Sequence, residues 1–186
     1  KDLGRISEAL ESYKNAIAIK SNYAEAHNNL GITLMDIGKL DEAVASYENA
    51  LAAKPNYVFA HNNLGVALNG LQRLNEAAIC FDKALSINPH YAEAHSNRGN
   101  LMTDFDKLDE ALLSYEKAQE LKPDEDYIIG NILHTKMHLC EWDEISVYIK
   151  DLTKKINKGQ KVIGPFAITA LIDSPELQRK ATEIYA

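Results

Sequence analysis

The stretch Ala24-Glu25-Ala26-His27-Asn28-Asn29-Leu30-Gly31 returns 34 residues later as Val58-Phe59-Ala60-His61-Asn62-Asn63-Leu64-Gly65, and again as Ala92-Glu93-Ala94-His95-Ser96-Asn97-Arg98-Gly99. Outward from these openings the copies stay in register: Ala43, Ala77 and Ala111 coincide, then Tyr47, Phe81 and Tyr115, then Ala50, Ala84 and Ala118, and finally Pro55, Pro89 and Pro123. A fixed period of this length marks an array of small repeated units. Each copy holds two stretches of about 14 residues with apolar residues at helical spacing, such as Leu30, Leu34 and Ile37, followed by Leu40, Ala43, Tyr47, Ala50 and Leu51. The segments between them, Gly38-Lys39-Leu40-Asp41, Leu71-Gln72-Arg73-Leu74 and Phe105-Asp106-Lys107-Leu108, are short enough to make the two helices antiparallel neighbours. Gly31, Gly65 and Gly99, with the aligned alanines, remove bulk where helices cross, and each late proline ends the second helix. One such pair cannot bury its apolar faces alone, so the pairs must stack. The expected class is all-α, a solenoid of antiparallel helix pairs.

The flanks of the three regular copies (24–125) differ from them. In residues 1–23, Gly4, Ala9, Tyr13 and Ala16 occupy the turn, small, aromatic and small positions of a second helix, so this segment reads as half a repeat. The apolar flank of its helix, 6–20, offers an end on which further repeats, or a second copy of the chain, can stack. Residues 126–157 keep the helical periodicity but not the small positions, because Leu133 replaces the glycine and Ile145 and Leu152 replace alanines. That pair should pack more loosely or against something different. The turn Leu139-Cys140-Glu141-Trp142-Asp143-Glu144 aligns with the earlier turns and puts the single tryptophan at a core leucine position, where it is expected to anchor the pair. Residues 158–186 fall outside the repeat. Pro165 is expected to open a short apolar helix through about Leu171, and Ser174, with Pro175 and Glu176 in the first turn, to cap another.

The small, aromatic and proline positions, in this order and at this length, resemble the tetratricopeptide repeat. The resemblance implies a right-handed superhelix whose first helices line an inner, partner-binding surface. A second resemblance covers residues 126–186. Cys140-Glu141-Trp142, Pro165-Phe166 with Leu171, and Asp173-Ser174-Pro175-Glu176-Leu177 running to Lys180-Ala181 and Tyr185-Ala186 are similar to the junction between repeats and catalytic region in O-linked N-acetylglucosamine transferase-like proteins, including bacterial and SPINDLY-type members. It implies a parent protein with a nucleotide-sugar-dependent glycosyltransferase region beyond the junction and a recruiting role for the repeats. No catalytic residue carries over: the animal enzymes have a histidine where Pro175 stands, and the sequence shows neither a phosphate-cradling glycine loop nor a carboxylate pair in a cleft-forming context. The fragment itself is expected to be catalytically silent and to need no cofactor.

Composition agrees with a globular interaction module: 46% hydrophobic, 8% aromatic and 25% charged residues exclude disorder and a disulfide scaffold. The formal charge of −7 argues against a nucleic-acid surface. No apolar run approaches the roughly 18–20 residues of a membrane span, and no charged-then-apolar leader opens the sequence, so a cytoplasmic protein is expected. Cys80 and Cys140 lie far apart in no metal-type spacing and are expected to pack as reduced thiols. The basic cluster Lys154, Lys155, Lys158 and Lys161 reads as a solvated helix end.

The sharpest candidate site is Asn29, Asn63, Asn97 and Asn131, one amide per repeat on the first helix. An extended peptide offers backbone donors and acceptors at any sequence, and a ladder of amides can answer both. The transferase resemblance implies the same role for these four positions. Asn28 and Asn62 lie beside them, and Arg98 takes the leucine position of the other copies, free to reach the groove or an acid such as Asp104. The alternative for the ladder is internal: asparagines that satisfy groups between helices. The face lacks the converging Lys and Arg of repeats that clamp acidic chaperone tails. His27, His61 and His95 are excluded as a metal ladder, because zinc–nitrogen bonds of about 2 Å cannot bridge helices about 8–10 Å apart. Partners are therefore protein or extended peptide segments, with a stand-alone scaffold without a catalytic region as the alternative to the transferase arm.

Overall fold

Each 34-residue copy breaks at two fixed places, and the computed structural model, which describes residues 2–164, 168–169 and 171–184, shows why. The regular copies form α2 (Ala24–Asp36) with α3 (Leu40–Ala53), α4 (Val58–Gly70) with α5 (Leu74–Ile87), and α6 (Ala92–Asp104) with α7 (Leu108–Leu121). Ahead of them lies α1 (Asp2–Ile19); after them come α8 (Ile128–His138), α9 (Ile145–Asn157) and α10 (Pro175–Glu183). No strand occurs among the described residues.

The first break turns on a left-handed residue at one register position: Gly38 (φ 76°), Gln72 (60°), Asp106 (57°) and Cys140 (57°). The reversal is held by backbone bonds back into the first helix, such as Lys39 N–H to the Leu34 carbonyl and Arg73 N–H to that of Leu68. The second break falls before each proline, where Lys54, Asn88 and Lys122 are extended, the conformation a following proline imposes. Gly4 departs from expectation. It is helical, inside α1.

Helices α2, α3, α4, α5 and α7 start without a side-chain cap, so their stability comes from packing. The central contact is glycine against an aromatic ring. A Cβ placed on Gly31, Gly65 or Gly99 would stand 2.5–2.6 Å from the buried ring of Tyr47, Phe81 or Tyr115 respectively. The aligned alanines Ala43, Ala77, Ala111, Ala50, Ala84 and Ala118 have no exposed surface at all.

The chain divides into two compact units, residues 1–97 and 98–186. In the first, α1 lies on α2, and α2 to α5 pack in sequence. In the second, Leu133 and Leu152 join Ile129, Ile156, Val162, Ile163, Ile168, Ile172 and Ala181 in one core. The bulky residues that displaced glycine and alanine therefore pack against the segment after α9, which is the different partner their size requires. That segment is tied to α8 by Tyr127 N–H to the Lys161 carbonyl (2.7 Å) and Gly130 N–H to that of Val162 (3.1 Å). Ser174 caps α10 as expected, accepting from Leu177 N–H.

Three expectations for this unit are corrected. Trp142 is 62% exposed rather than a core anchor, because Cys140 and Glu144 both turn left-handed and α9 begins only at Ile145, leaving Trp142 in the loop. Cys140 is exposed in the same loop, whereas Cys80 is buried, which pushes its thiol up to about 11. Lys155 is buried, not solvated: its ammonium donates to the Pro123 carbonyl and faces Asp124 at 3.4 Å. The helix expected to open at Pro165-Phe166, and the terminal Tyr185-Ala186, lie outside the described residues.

Two outcomes follow for stability. Gly65→Ala drives a methyl into the packed Phe81 ring and should cost about 1–3 kcal/mol despite the better helix propensity of alanine, read by chemical denaturation. The Tyr47 hydroxyl is buried without a partner, whereas that of Tyr115 donates to Asn100 Oδ1 at 2.8 Å. Tyr47→Phe should thus leave stability unchanged or raise it by about 1 kcal/mol, while Tyr115→Phe should lower it by about 0.5–1.5 kcal/mol.

Candidate peptide-binding face

Adjacent asparagines on one helix point to different depths. In the first unit Asn28 and Asn62 are buried, at 3% and 0% exposure, while Asn29 is exposed and Asn63 and Asn97 are partly so. The buried residue of one repeat holds the outer residue of the next: Asn63 Nδ2 donates to Asn28 Oδ1 at 3.1 Å, and Asn97 Nδ2 donates to Asn62 Oδ1 at 3.0 Å. Within each helix the buried amide also turns toward its neighbour, Asn28 Nδ2 to Asn29 Oδ1 and Asn62 Nδ2 to Asn63 Oδ1, both at 3.4 Å. Asn62 Nδ2 further donates to Glu93 Oε1 at 3.3 Å. The result is a chain of amides running from helix to helix, with its outer members at the surface.

An amide has two N–H donors and a carbonyl with two lone pairs. Asn63 uses one donor toward Asn28 and one lone pair toward Asn62, and so retains one of each. The internal and the binding roles of the asparagines are therefore compatible: the inner residues fix the orientation of the outer ones. Asn28 and Asn62, read from sequence as part of the face, sit beneath it as supports.

The second unit repeats the device with a shift. Asn131 Nδ2 donates to Asn100 Oδ1 at 3.3 Å, and Asn100 is itself held by the Tyr115 hydroxyl. Position 96 carries serine instead of asparagine, and Asn100 lies one helical turn beyond it on the same side. That spacing is the signal by which Asn100 was findable in the sequence. A cleft of about 240 Å³ opens here, lined by Asn100, Thr103, Asp104, Tyr115, Asn131 and His134, among others. The acid that Arg98 is seen to pair with is Glu110 on α7. The Arg98 guanidinium turns onto α7, donating to Ser114 Oγ (2.8 Å) and pairing with Glu110 (3.3 Å).

Near the start of α4 the first unit carries an aromatic cluster around Phe59. Its ring, 54% exposed, stands edge-on to Tyr57 (6.0 Å) and Tyr91 (5.5 Å). Lys54 lies over the Tyr57 ring and pairs with Glu25 at 3.1 Å. Backbone hydrogen bonding at the start of α2, and then the Lys54 side chain, hold the Glu25 carboxyl below its ordinary range. His27, His61 and His95 place Nε2 2.8–2.9 Å from the carbonyls of Ser21, Pro55 and Pro89. A carbonyl can only accept, so Nε2 carries the proton and each ring clips its first helix to the preceding loop.

Losing an outer residue that a buried amide depends on should be felt in folding. Asn97→Ala, which strands Asn62 Oδ1, should cost about 1–3 kcal/mol in urea unfolding, whereas Asn29→Ala, which removes only the long 3.4 Å contact from Asn28 Nδ2, should cost less, about 0.5–1 kcal/mol.

Comparison with known proteins agrees with this architecture. A family model described as TPR repeat matches residues 1–38 and 33–72, one described as tetratricopeptide repeat matches 58–91, and a further tetratricopeptide repeat model matches 92–125. No curated protein sequence matches the chain. Among solved structures, MamA is similar at 25% identity and a TM-score of 0.75, over 84% of this chain and 92% of that one. MamA 41-end from Desulfovibrio magneticus RS-1 shares the fold at 20% identity and a TM-score of 0.72, over 82% and 86%. The first TPR of Spaghetti (RPAP3), solved bound to the HSP90 peptide SRMEEVD, is similar at 26% identity and a TM-score of 0.62, over 63% of this chain and 95% of that one.

Proposed function

Because the chain belongs to the tetratricopeptide repeat family, we propose that it is a protein-interaction module holding an extended peptide segment against Asn29, Asn63 and Asn97 on α2, α4 and α6. The observation that carries this reading is the division of labour between amides: buried Asn28 and Asn62 orient surface residues that keep a donor and an acceptor for a ligand backbone. Such a face reads main-chain groups and is weakly selective for sequence. The relative solved with a bound peptide supports a peptide ligand as a class. Its peptide carries two glutamates and an aspartate; the amides here carry no charge and the carboxylate beside them is Glu93, which favours a neutral segment instead. Among the described residues no helix is long and apolar enough to cross a membrane.

The test is selection of ligands from an unbiased peptide library on the whole 186-residue chain, followed by titration. Asn29→Ala and Asn63→Ala should each weaken the selected peptides about threefold to tenfold, the worth of one ordinary hydrogen bond. Unchanged affinity in both variants would return the asparagines to a purely internal role.

The finer reading is that this module recruits substrates for an O-linked N-acetylglucosamine transferase-like enzyme, with residues 126–186 as the junction; it rests on the sequence resemblance of that segment. Several hundred codons of alternating strands and helices beyond Ala186 in the same reading frame would support it. The second reading, a scaffold of repeats alone, is favoured by a similarity to MamA that spans nearly the whole of that chain. Under either reading the half-exposed apolar flank of α1, including Ile6, Leu10 and Ile17, offers a stacking surface for another repeat or a second copy.

A further inference from the structure

One pair of titratable side chains is used neither by the amide face nor by the core. His134 and His138 stand one turn apart on α8, both exposed, with ring centroids 4.5 Å apart and planes inclined by 57°. Their Nε2 atoms face each other at 3.2 Å. In the regular copies the corresponding positions hold Ile32, Val66 and Asn100, and Asp36, Gly70 and Asp104, so the pair is a feature of the fourth copy alone.

We propose that His134 and His138 form an open two-histidine site for a divalent transition-metal ion of the zinc, nickel or copper class. The spacing is that of a chelate. Two nitrogens each about 2.0–2.1 Å from zinc, at a tetrahedral angle, lie about 3.3–3.4 Å apart, and the observed 3.2 Å needs only a slight closing of that angle. Two histidines at i and i+4 present their rings to one side of a helix, an arrangement that zinc sites on helices use. The ion must bind neutral imidazole.

Space is also present. His134 borders two clefts of the second unit, of about 240 and 260 Å³. Asp104 lines the first of them. Among the described residues no third histidine, cysteine, aspartate or glutamate is grouped closely enough to complete a closed site. The remaining coordination positions therefore belong to water, which makes the site an open one rather than a closed structural one. The other helical histidines are differently engaged, since His27, His61 and His95 spend Nε2 on carbonyls.

Titration of the 186-residue chain with zinc chloride at neutral pH, followed by calorimetry and by the imidazole proton resonances, tests the site. One equivalent should bind, with the His134 and His138 resonances shifting first and copper binding more tightly than zinc. His134→Gln and His138→Gln should each weaken binding at least about tenfold, with the circular dichroism unchanged because both side chains are exposed, and His90→Gln, on an exposed loop residue, should leave it intact. Absence of zinc uptake, uptake indifferent to His138→Gln, or an equal loss in His90→Gln would overturn the proposal and reduce the contact to an N–H···N hydrogen bond.

Discussion

Everything in the repeated region depends on how closely the two helices of a pair approach. Gly31, Gly65 and Gly99 permit that approach by leaving room for one flat ring each, and the fully buried alanines of the second helices keep it along the crossing. Helix caps contribute nothing at most starts, so the helices exist because they are packed rather than the reverse. The turns obey the same constraint. A left-handed residue recurs at one position whether it is glycine, glutamine, aspartate or cysteine, which means that the spacing of the helices imposes the backbone conformation and the local residue tolerates it.

The amide network is a consequence of that spacing. Identical pairs stacked in register bring residue 28 of one repeat beside residue 63 of the next, and 62 beside 97, so a two-residue motif becomes a chain of hydrogen bonds. Burying an amide is costly unless its groups are bonded, and here each buried amide is bonded by an outer one. The outer residues are thereby held to a single orientation, which lowers the entropy a ligand would otherwise have to remove from them.

Periodicity made the fold readable from the sequence: three copies in register give helix number, helix direction and the small positions, and Ser174 with Pro175 announces the last helix. Depth was not readable. A helical face is about 100° wide, too coarse to separate Asn28, which enters the crevice, from Asn29, which does not. The fourth copy misled for a related reason. Trp142 aligns with a leucine only if the helix restarts on schedule, and the second left-handed residue, Glu144, delays it. Lys155 reads as solvated because its partners, Pro123 and Asp124, lie some thirty residues away in sequence. Asn100 and the histidine pair were legible as i, i+4 spacings, but their significance depends on where those side chains meet.

The three regular pairs also differ by a single atom at one place. Phe81 has no hydroxyl, Tyr115 has one that is bonded, and Tyr47 has one that is not. In an array where each unit touches only its neighbours, local free energies are not averaged over the whole chain. A ring oxygen invisible from the surface thus bears on the opening of its own pair. The pair α2 with α3, which carries the unpartnered hydroxyl, also presents Asn29, the outermost amide of the face.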